Sequence, residues 1–503
     1  MKILSASAIR AVDAFTIENE LIASIDLMER ASLAFTNWFI QRFSSHQGIS
    51  VFCGPGNNGG DGLAVARMLI LKDYSVNVYV VESGKKSEDF LINEKRLSEI
   101  TKIYYINSEA SVPSIQENSI VIDALFGSGL TRPVTGIFAE VIAKINSSGA
   151  TVVSIDIASG LYCDSYNESS AIVQPDFTVT FQIPKLSFYL PCNNKYVGKL
   201  EIVPIGLDEN YLRSLPFDYS LITIDLIKDF VKVREKYSHK GTYGKALIVA
   251  GSYGMMGAAI LSTRACCRSG AGLVTAYVPK CGYSVMQSSI PEAMVLTDPS
   301  DNIITKTPDM EKFEVAGVGP GFYEGEETVK ALELLLEKAG YPLVLDAGAL
   351  NIISRNKHLF PKIPKGSILT PHPKEFDRLF GVSNNDYEKI ELLRSKSKEL
   401  NLVIVLKGAH TAIATREGKV YFNSTGNPGM ATGGSGDVLT GILTGLLAQK
   451  YTSEEAAILG VFMHGYAGDK AVLHKGIPSL IASDIIEEIC GFYNDFYPTN
   501  GDD

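Results

Sequence analysis

The chain has 503 residues, 46% hydrophobic and 20% charged, with a formal net charge of −10. One core seldom grows that large, so two or three domains are expected. No stretch approaches the roughly 20 apolar residues of a membrane span, and the lack of any Lys or Arg block argues against nucleic acid as a partner.

Arg10 and Asp13 break the apolar run of the N-terminal MKILSASAIRAVDAF, which is therefore not expected to be a secretory signal. Downstream, apolar runs alternate with helical patterns. ISVFC (49–53) reads as a buried strand, GLAVARMLILKD (62–73) as a helix, and SVNVYVVES (75–83), SIVIDALFG (119–127), TVVSIDIAS (151–159) and FTVTFQIP (177–184) as strands. Strands separated by helices predict a parallel sheet covered on both faces. LEIVPIGLDENYLRSLPF (200–217) reads as the edge of this first set.

The pattern restarts after the polar KVREKYSHKGTYGK. Strands are predicted at 246–252, 273–279, 315–321, 342–348, 367–373 and 402–410, with a hairpin over 411–425 that turns near Glu417 and Gly418. Helices are predicted at 436–450 and 454–472, and the boundary between the two sets lies near residue 220. The fold class expected is α/β in both halves. Seven scattered cysteines without a CxxC pair fit free thiols in a reducing cytoplasm. The histidines show no zinc-ligand spacing with them.

The first glycine-rich turn, GPGNNGGDG (54–62), matches GxGxxG between a strand and a helix, with Glu82 as a possible acidic partner in a dinucleotide fold. That signal is weak alone, because a bare GxG turn needs no ligand. Its Asn57, Asn58 and Asp61 add polar oxygens at the sheet's carboxyl edge, where open α/β sheets bind ligands; such oxygens also suit a hard cation. Asp123 and Asp156 end further strands at that edge, followed by the small-residue loop GSGLTRP (127–133) and by Ser159-Gly160. Lys185 follows FTVTFQIP. An Asp156–Lys185 pair would suit acid–base work; the alternative for Lys185 is a solvated surface charge.

The second glycine-rich turn, GNPGMATGGSGDVLTG (426–441), is the strongest signal in the chain. Gly433, Gly434 and Gly436 at a helix start can turn their N–H groups on an anion. Asp437 beside a phosphate suits a base that takes a hydroxyl proton during phosphoryl transfer. Lys407 and Gly408 end a strand, and a lysine there can neutralise phosphate oxygens. His372 and Glu375 lie at another strand end, the first a candidate substrate contact and the second a candidate to hold Mg2+ through water.

The motifs GPGNNGGDG, DALFGSGLTRP and DIASG resemble the YjeF N-terminal-type NAD(P)H-hydrate epimerases. KGTYGKALIVAGSYGMMGAAILSTRA, GVGPG, LDAGAL, TPHPKEF, VLKGAHT and NPGMATGGSGD resemble the ribokinase-like NAD(P)H-hydrate dehydratases. The two arrays cover nearly the whole chain in the order of the fused bacterial members. The resemblance implies a Rossmann-like three-layer domain over 1–219 and a ribokinase-like domain over 220–503. It implies that R and S epimers of hydrated NADH and NADPH are interconverted by the first. The second dehydrates the S epimer at the expense of ADP or ATP, with ADP favoured by the fused form.

By the same resemblance, Asn58, Asp123 and Ser159 correspond to K+ ligands. Asn57, Asn58, Gly59, Gly60, Asp61, Gly127, Ser128, Gly129, Leu130, Thr131, Arg132, Pro133 and Asp156 correspond to hydrate contacts, with Asp156 and Lys185 as acid–base candidates. Ala259, Gly321, His372 and Asp437 correspond to hydrate contacts in the second domain. Lys407, Gly408, Ala409, His410 and Thr411, with Gly433, Gly434 and Gly436, correspond to the nucleotide site. Asp437 is the expected base. Homo-oligomers are implied as well. DIASG carries Ala158 where the family often has proline. A kinase of a small hydroxylated precursor is the alternative that the second half alone would permit.

Overall fold

The computed structural model describes residues 1–168 and 171–497. It divides the chain into two compact units. One comprises residues 2–219 with 385–387, the other residue 1, residues 220–384 and the chain from 388 onward.

The first unit is built on seven parallel strands: β1 (Ile49–Cys53), β2 (Val76–Val81), β3 (Ile103–Ile106), β4 (Ile120–Ala124), β5 (Thr151–Ile155), β6 (Phe177–Phe181) and β7 (Lys199–Val203). Their order is β3-β2-β1-β4-β5-β6-β7. The chain thus winds one way from β1 to β3 and the other way from β4 onward. Loops leaving β1 and β4 diverge at their carboxyl ends and leave a crevice there. β4 is buried at every position, which explains its otherwise apolar sequence and makes Asp123 within it conspicuous. The helices Ser24–Ile40, Asn57–Ile70 and Glu88–Ser98 supply Phe35, Phe39, Leu63, Leu69 and Phe90 to the core over these strands.

The second unit repeats the logic with β8 (Lys245–Val249), β9 (Leu273–Val278), β10 (Met294–Thr297), β11 (Val315–Val318), β12 (Leu343–Leu345), β13 (Ile368–Leu369), β14 (Val403–Leu406), β15 (Ala412–Ala414) and β16 (Val420–Phe422). Their order is β16-β15-β14-β13-β12-β11-β8-β9-β10. β8 pairs in parallel with both β9 and β11, so its carboxyl end is again a switch point. β15 and β16 form the antiparallel hairpin expected over 411–425, and β15 also pairs antiparallel with β14. The helices Ser435–Ala448 and Ser453–Lys475 are almost wholly apolar where they pack, and are buried accordingly. The fold is α/β throughout, Rossmann-like in the first unit and ribokinase-like in the second.

Several boundaries differ from those read in the sequence. The predicted helix over 62–73 begins at Asn57, so most of the first glycine-rich stretch is helix and only Gly54–Gly56 is turn. The predicted strand over 342–348 stops at Leu345, and a helix starts at Ala347 in the left-handed region, with φ 47°. The predicted strand over 367–373 shortens to two residues, since Pro373 opens a helix, as proline does well at a first helical position.

Candidate functional sites

In the first unit a cleft of about 770 Å3 opens at the switch point. It is lined by Asn57, Asn58, Asp61, the loop from Gly127 to Arg132, Asp156 and Lys185, joined by Asp13 from the Ala6–Glu20 helix. Gly59 is a glycine by necessity: a Cβ there would stand 1.8 Å from the Gly54 carbonyl oxygen. The turn can therefore fold back onto the first helical turn and present Asn57 and Asn58 to the cleft. Gly60 is buried in the same helix, and Pro133 is exposed beyond the loop.

Lys185 is not a solvated surface charge. Its side chain is 1% exposed, and its Nζ bonds the Asp156 carboxylate and, at 2.6 Å, Thr180 Oγ1. Asp156 Oδ1 also accepts from Thr180 Oγ1 at 3.1 Å and from the Phe181 N–H at 3.2 Å. Asp156 sits at φ 64°, which is strained for a residue with a Cβ and is held by these bonds. Burial, then the charge of Asp156, push Asp13 up to about 6 against the pull of Lys185. Burial pushes Asp61 well above the carboxylate range, with Asp156 adding to it; Ser32 Oγ lies 3.4 Å from its Oδ1.

Beneath this cleft Asp123 is fully buried. It accepts from Ser154 Oγ at 2.7 Å and from the Ser159 and Leu125 N–H groups at 2.9 and 3.3 Å. Burial nevertheless raises it above its ordinary value, because none of these donors carries charge. Ser159 Oγ lies between the Phe126 N–H and carbonyl. Asn58 packs against Gly127, and its buried Nδ2 has no hydrogen-bond partner. Glu82, by contrast, lies exposed after β2 and outside the cleft. The dinucleotide reading that used it is not what this edge is built for.

In the second unit Lys407 follows β14 and Asp346 follows β12. Lys407 Nζ lies 2.8 Å from Asp346 Oδ1 and 4.0 Å from Glu375 Oε2. Asp346 Oδ2 accepts from Thr440 Oγ1 at 2.9 Å. A Cβ on Gly436 would stand 3.4 Å from Lys407 Nζ and 3.6 Å from Asp346 Oδ2, so the glycine-rich helix start and the lysine share one place. Burial alone would lower Lys407. Asp346, Glu375 and Asp437 outweigh it and hold the ammonium above its ordinary value. Burial, then Asp346, push Asp437 up to about 6 against the pull of Lys407.

The remaining residues spread around this centre. His372 caps the Pro373–Phe380 helix: its Nδ1 accepts from the Glu375 N–H, and Glu375 Oε2 accepts from the His372 N–H at 2.8 Å. The ring is 45% exposed beyond that cap. Gly408, Ala409 and His410 are exposed, and Thr411 Oγ1 donates to the Gly408 carbonyl. Nothing lies within 4 Å of a Cβ placed on Gly408 or Gly433, whereas one on Gly434 (φ 91°) meets Leu261. Gly321 folds against Met255, and Ala259 is fully buried below Gly251. Among the described residues no trio of His, Cys, Asp or Glu side chains is gathered at metal-binding spacing, and no helix is long and apolar enough to cross a membrane.

Two residues at these sites escaped the sequence reading. Asp346 carries the same mark that singled out Asp123 and Asp156, an aspartate at the carboxyl end of an apolar strand, and that mark would have found it. Asp13 carries none, since it sits on a helix that reaches the cleft only through tertiary packing.

Residues 24–187 match the family model described as the YjeF-related protein N-terminus, and residues 246–490 that described as NAD(P)H-hydrate dehydratase. The bifunctional NAD(P)H-hydrate repair enzyme of Moorella thermoacetica is 33% identical, over 97% of this chain and 96% of its own. The chain belongs to this family. The bifunctional repair enzyme of Escherichia coli is 32% identical over 87% of this chain and 84% of its own. Among solved structures, the ADP/ATP-dependent NAD(P)H-hydrate dehydratase of Bacillus subtilis, co-crystallised with ATP and Mg2+, is 32% identical. It covers 55% of this chain and 98% of its own, with a TM-score of 0.49. Like other bifunctional repair enzymes, the chain joins an epimerase-type unit to a dehydratase-type unit.

Proposed function

We propose that the first unit, assigned to residues 1–219, interconverts the R and S epimers of hydrated NADH and NADPH at the cleft holding Asp156. The second unit, residues 220–503, then dehydrates the S epimer at Asp437, using ADP or ATP and releasing NAD(P)H, phosphate and AMP or ADP. The observation that carries the reading is a carboxylate gathered with a lysine at the carboxyl edge of each sheet: Asp156 with the buried Lys185, and Asp437 in the field of the half-buried Lys407.

In the first site, epimerisation breaks the C6–O bond: a proton reaches the hydroxyl, which leaves as water while the ring nitrogen's electrons form an iminium, and water then adds to the opposite face and gives up a proton. Asp156, fixed by Lys185 and Thr180, is positioned for that exchange at the cleft wall. Asn57, Asp61 and the loop from Gly127 to Pro133 hold the substrate. Asn58, Asp123 and Ser159 fit a K+: Asp123 is a buried carboxylate without a cation, and Asn58 has an unsatisfied buried amide whose O and N positions can exchange. When bound, K+ would neutralise Asp123 and tie the two loops together.

In the second site, Asp437 takes the proton of the C6 hydroxyl as that oxygen attacks the terminal phosphorus of the nucleotide. The bridging P–O bond breaks and AMP or ADP leaves; the C6 phosphate is then a good leaving group, electrons from the ring nitrogen expel it as phosphate, and loss of a proton from C5 restores the C5–C6 double bond. Lys407 and the N–H groups around Gly433–Gly436 offset the charge on the transferred group. Lys407–Thr411 border the nucleotide. Gly321 and His372 border the hydrate, and Ala259, fully buried, backs that wall. Glu375 fits Mg2+ only as a single carboxylate beside nucleotide phosphates, the usual manner for this ion; Mg2+ would add charge stabilisation there.

The test is direct. Protein mixed with both hydrate epimers and ADP or ATP is followed at the absorbance band of the reduced nicotinamide. Full recovery of both epimers, with phosphate released, is expected. Stable phosphorylated product, or recovery of the S epimer alone, would defeat the reading.

A further inference from the structure

Asp346 occupies the middle of the second site without being placed to touch the reacting hydroxyl. It is 1% exposed, and both of its oxygens are engaged. Oδ1 takes Lys407 Nζ, at the end of β14. Oδ2 takes Thr440 Oγ1, one turn along the helix that begins with Ser435 and carries Gly436 and Asp437. One carboxylate therefore ties a cation on one element to the base-bearing helix on another. The strand that delivers it ends one residue earlier, and the next residue, Ala347, is forced to φ 47°. Such strain persists only where surrounding bonds hold it.

A lysine ammonium on a flexible stem loses much rotamer freedom when it must meet a phosphate in one place. An ion pair that fixes it beforehand removes that loss from the binding step. We propose that Asp346 is a positioning residue for phosphoryl transfer: through Lys407 and Thr440 it sets the phosphate-binding cation and the Gly436–Asp437 turn in one geometry before nucleotide arrives. The inference rests on reading the second unit as a nucleotide-dependent dehydratase.

The decisive experiment is a double-mutant cycle on the full chain, with KM for ADP, KM for the S hydrate and kcat measured separately. Asp346→Asn keeps the shape and removes the charge. It should raise KM for ADP about tenfold and lower kcat on the order of a hundredfold, the scale of a small misplacement in a catalytic site, while KM for the hydrate moves little. In a Lys407→Met background the same change should leave KM for ADP where Lys407→Met alone put it. Additive losses in KM for ADP would show that Asp346 merely supports the fold, and a wild-type profile for Asp346→Asn would overturn the inference outright. Thr440→Val, which loses one hydroxyl, serves should Asp346→Asn fail to fold: a several-fold rise in KM for ADP alone supports the tie, and no change opposes it. Wild-type protein inactive with ADP and ATP would instead sink the dehydratase reading beneath it.

Discussion

The two sites solve one electrostatic problem with the same three parts. Each holds a lysine, a carboxylate bonded to it, and a second carboxylate without a cation of its own. In the first unit these are Lys185, Asp156 and Asp13; in the second they are Lys407, Asp346 and Asp437. Both unpaired carboxylates are driven up to about 6 by burial, next by the bonded carboxylate, and against the lysine. The difference lies in which carboxylate faces the chemistry. Asp437 stands at a bare helix start beside the lysine, whereas in the first cleft both Asp13 and Asp156 line the wall. A lysine in such a site is thus a fixed charge; the carrier proposed for the second site, Asp437, stands beside the pair, whereas the one proposed for the first, Asp156, is the lysine's own partner.

The sharpest way to break that comparison is to remove the proposed base from one side only. Asp437→Asn should lower dehydration by about a thousandfold or more, within the range of general-base contributions, and leave epimerisation unchanged. Measured with separated epimers, retained dehydration would show that Asp437 is not the base. The same variant should unfold at a higher temperature at neutral pH. The folded value of Asp437 lies above its unfolded one, so its ionisation weighs against the fold. That penalty is absent below about pH 4, the ordinary range for Asp, grows as pH rises, and is complete above about 6.

Asp156→Asn should slow epimerisation on the order of a hundredfold and leave dehydration of the pure S epimer intact. Its neighbour decides the parallel. Were Asp13 the proton carrier, Asp13→Asn would abolish the acid limb of the epimerisation profile, while Asp156→Asn would shift that limb downward by removing a charge that raises it. For dehydration, the rate should fall as pH drops through about 6, because protonated Asp437 cannot act as a base. A profile flat down to pH 5 would contradict both the assignment and its electrostatic cause.

The legible parts of the fold were those buried on both faces. β1, β4, β8 and β14 each read as apolar runs because each lies inside its sheet. Two of the strands that went unread, β3 and β10, each lie at an edge of their sheets. β3 leaves Tyr104 and Tyr105 about two-fifths exposed, and Met294 of β10 is half-exposed. An edge strand has no need of the pattern that marks a central one. The glycine turns were legible for a similar reason, since a Cβ on Gly59 would collide with backbone. Helix starts inside them were not: Asn57 and Ser435 begin helices without a side-chain cap, so no capping residue announces them. Asp346 was legible in principle, whereas Asp13 depends on a helix whose placement only packing decides.

The smallest effect expected comes from an open glycine. The first turn is filled by protein at Gly54 and Gly59, the Gly54 carbonyl being pressed onto Gly59, and those two glycines serve the fold. The second turn is open at Gly433, where a Cβ meets nothing within 4 Å and no positive φ requires glycine. If Gly433 is bare in order to admit a nucleotide phosphate, Gly433→Ala should leave the unfolding temperature unchanged and weaken ADP binding about three- to tenfold, roughly a kilocalorie per mole. Calorimetric titration with ADP and thermal unfolding of the same sample separate the two. A fall in unfolding temperature with ADP affinity intact would place Gly433 with Gly59, as a glycine the fold requires, and would remove the turn from the nucleotide site.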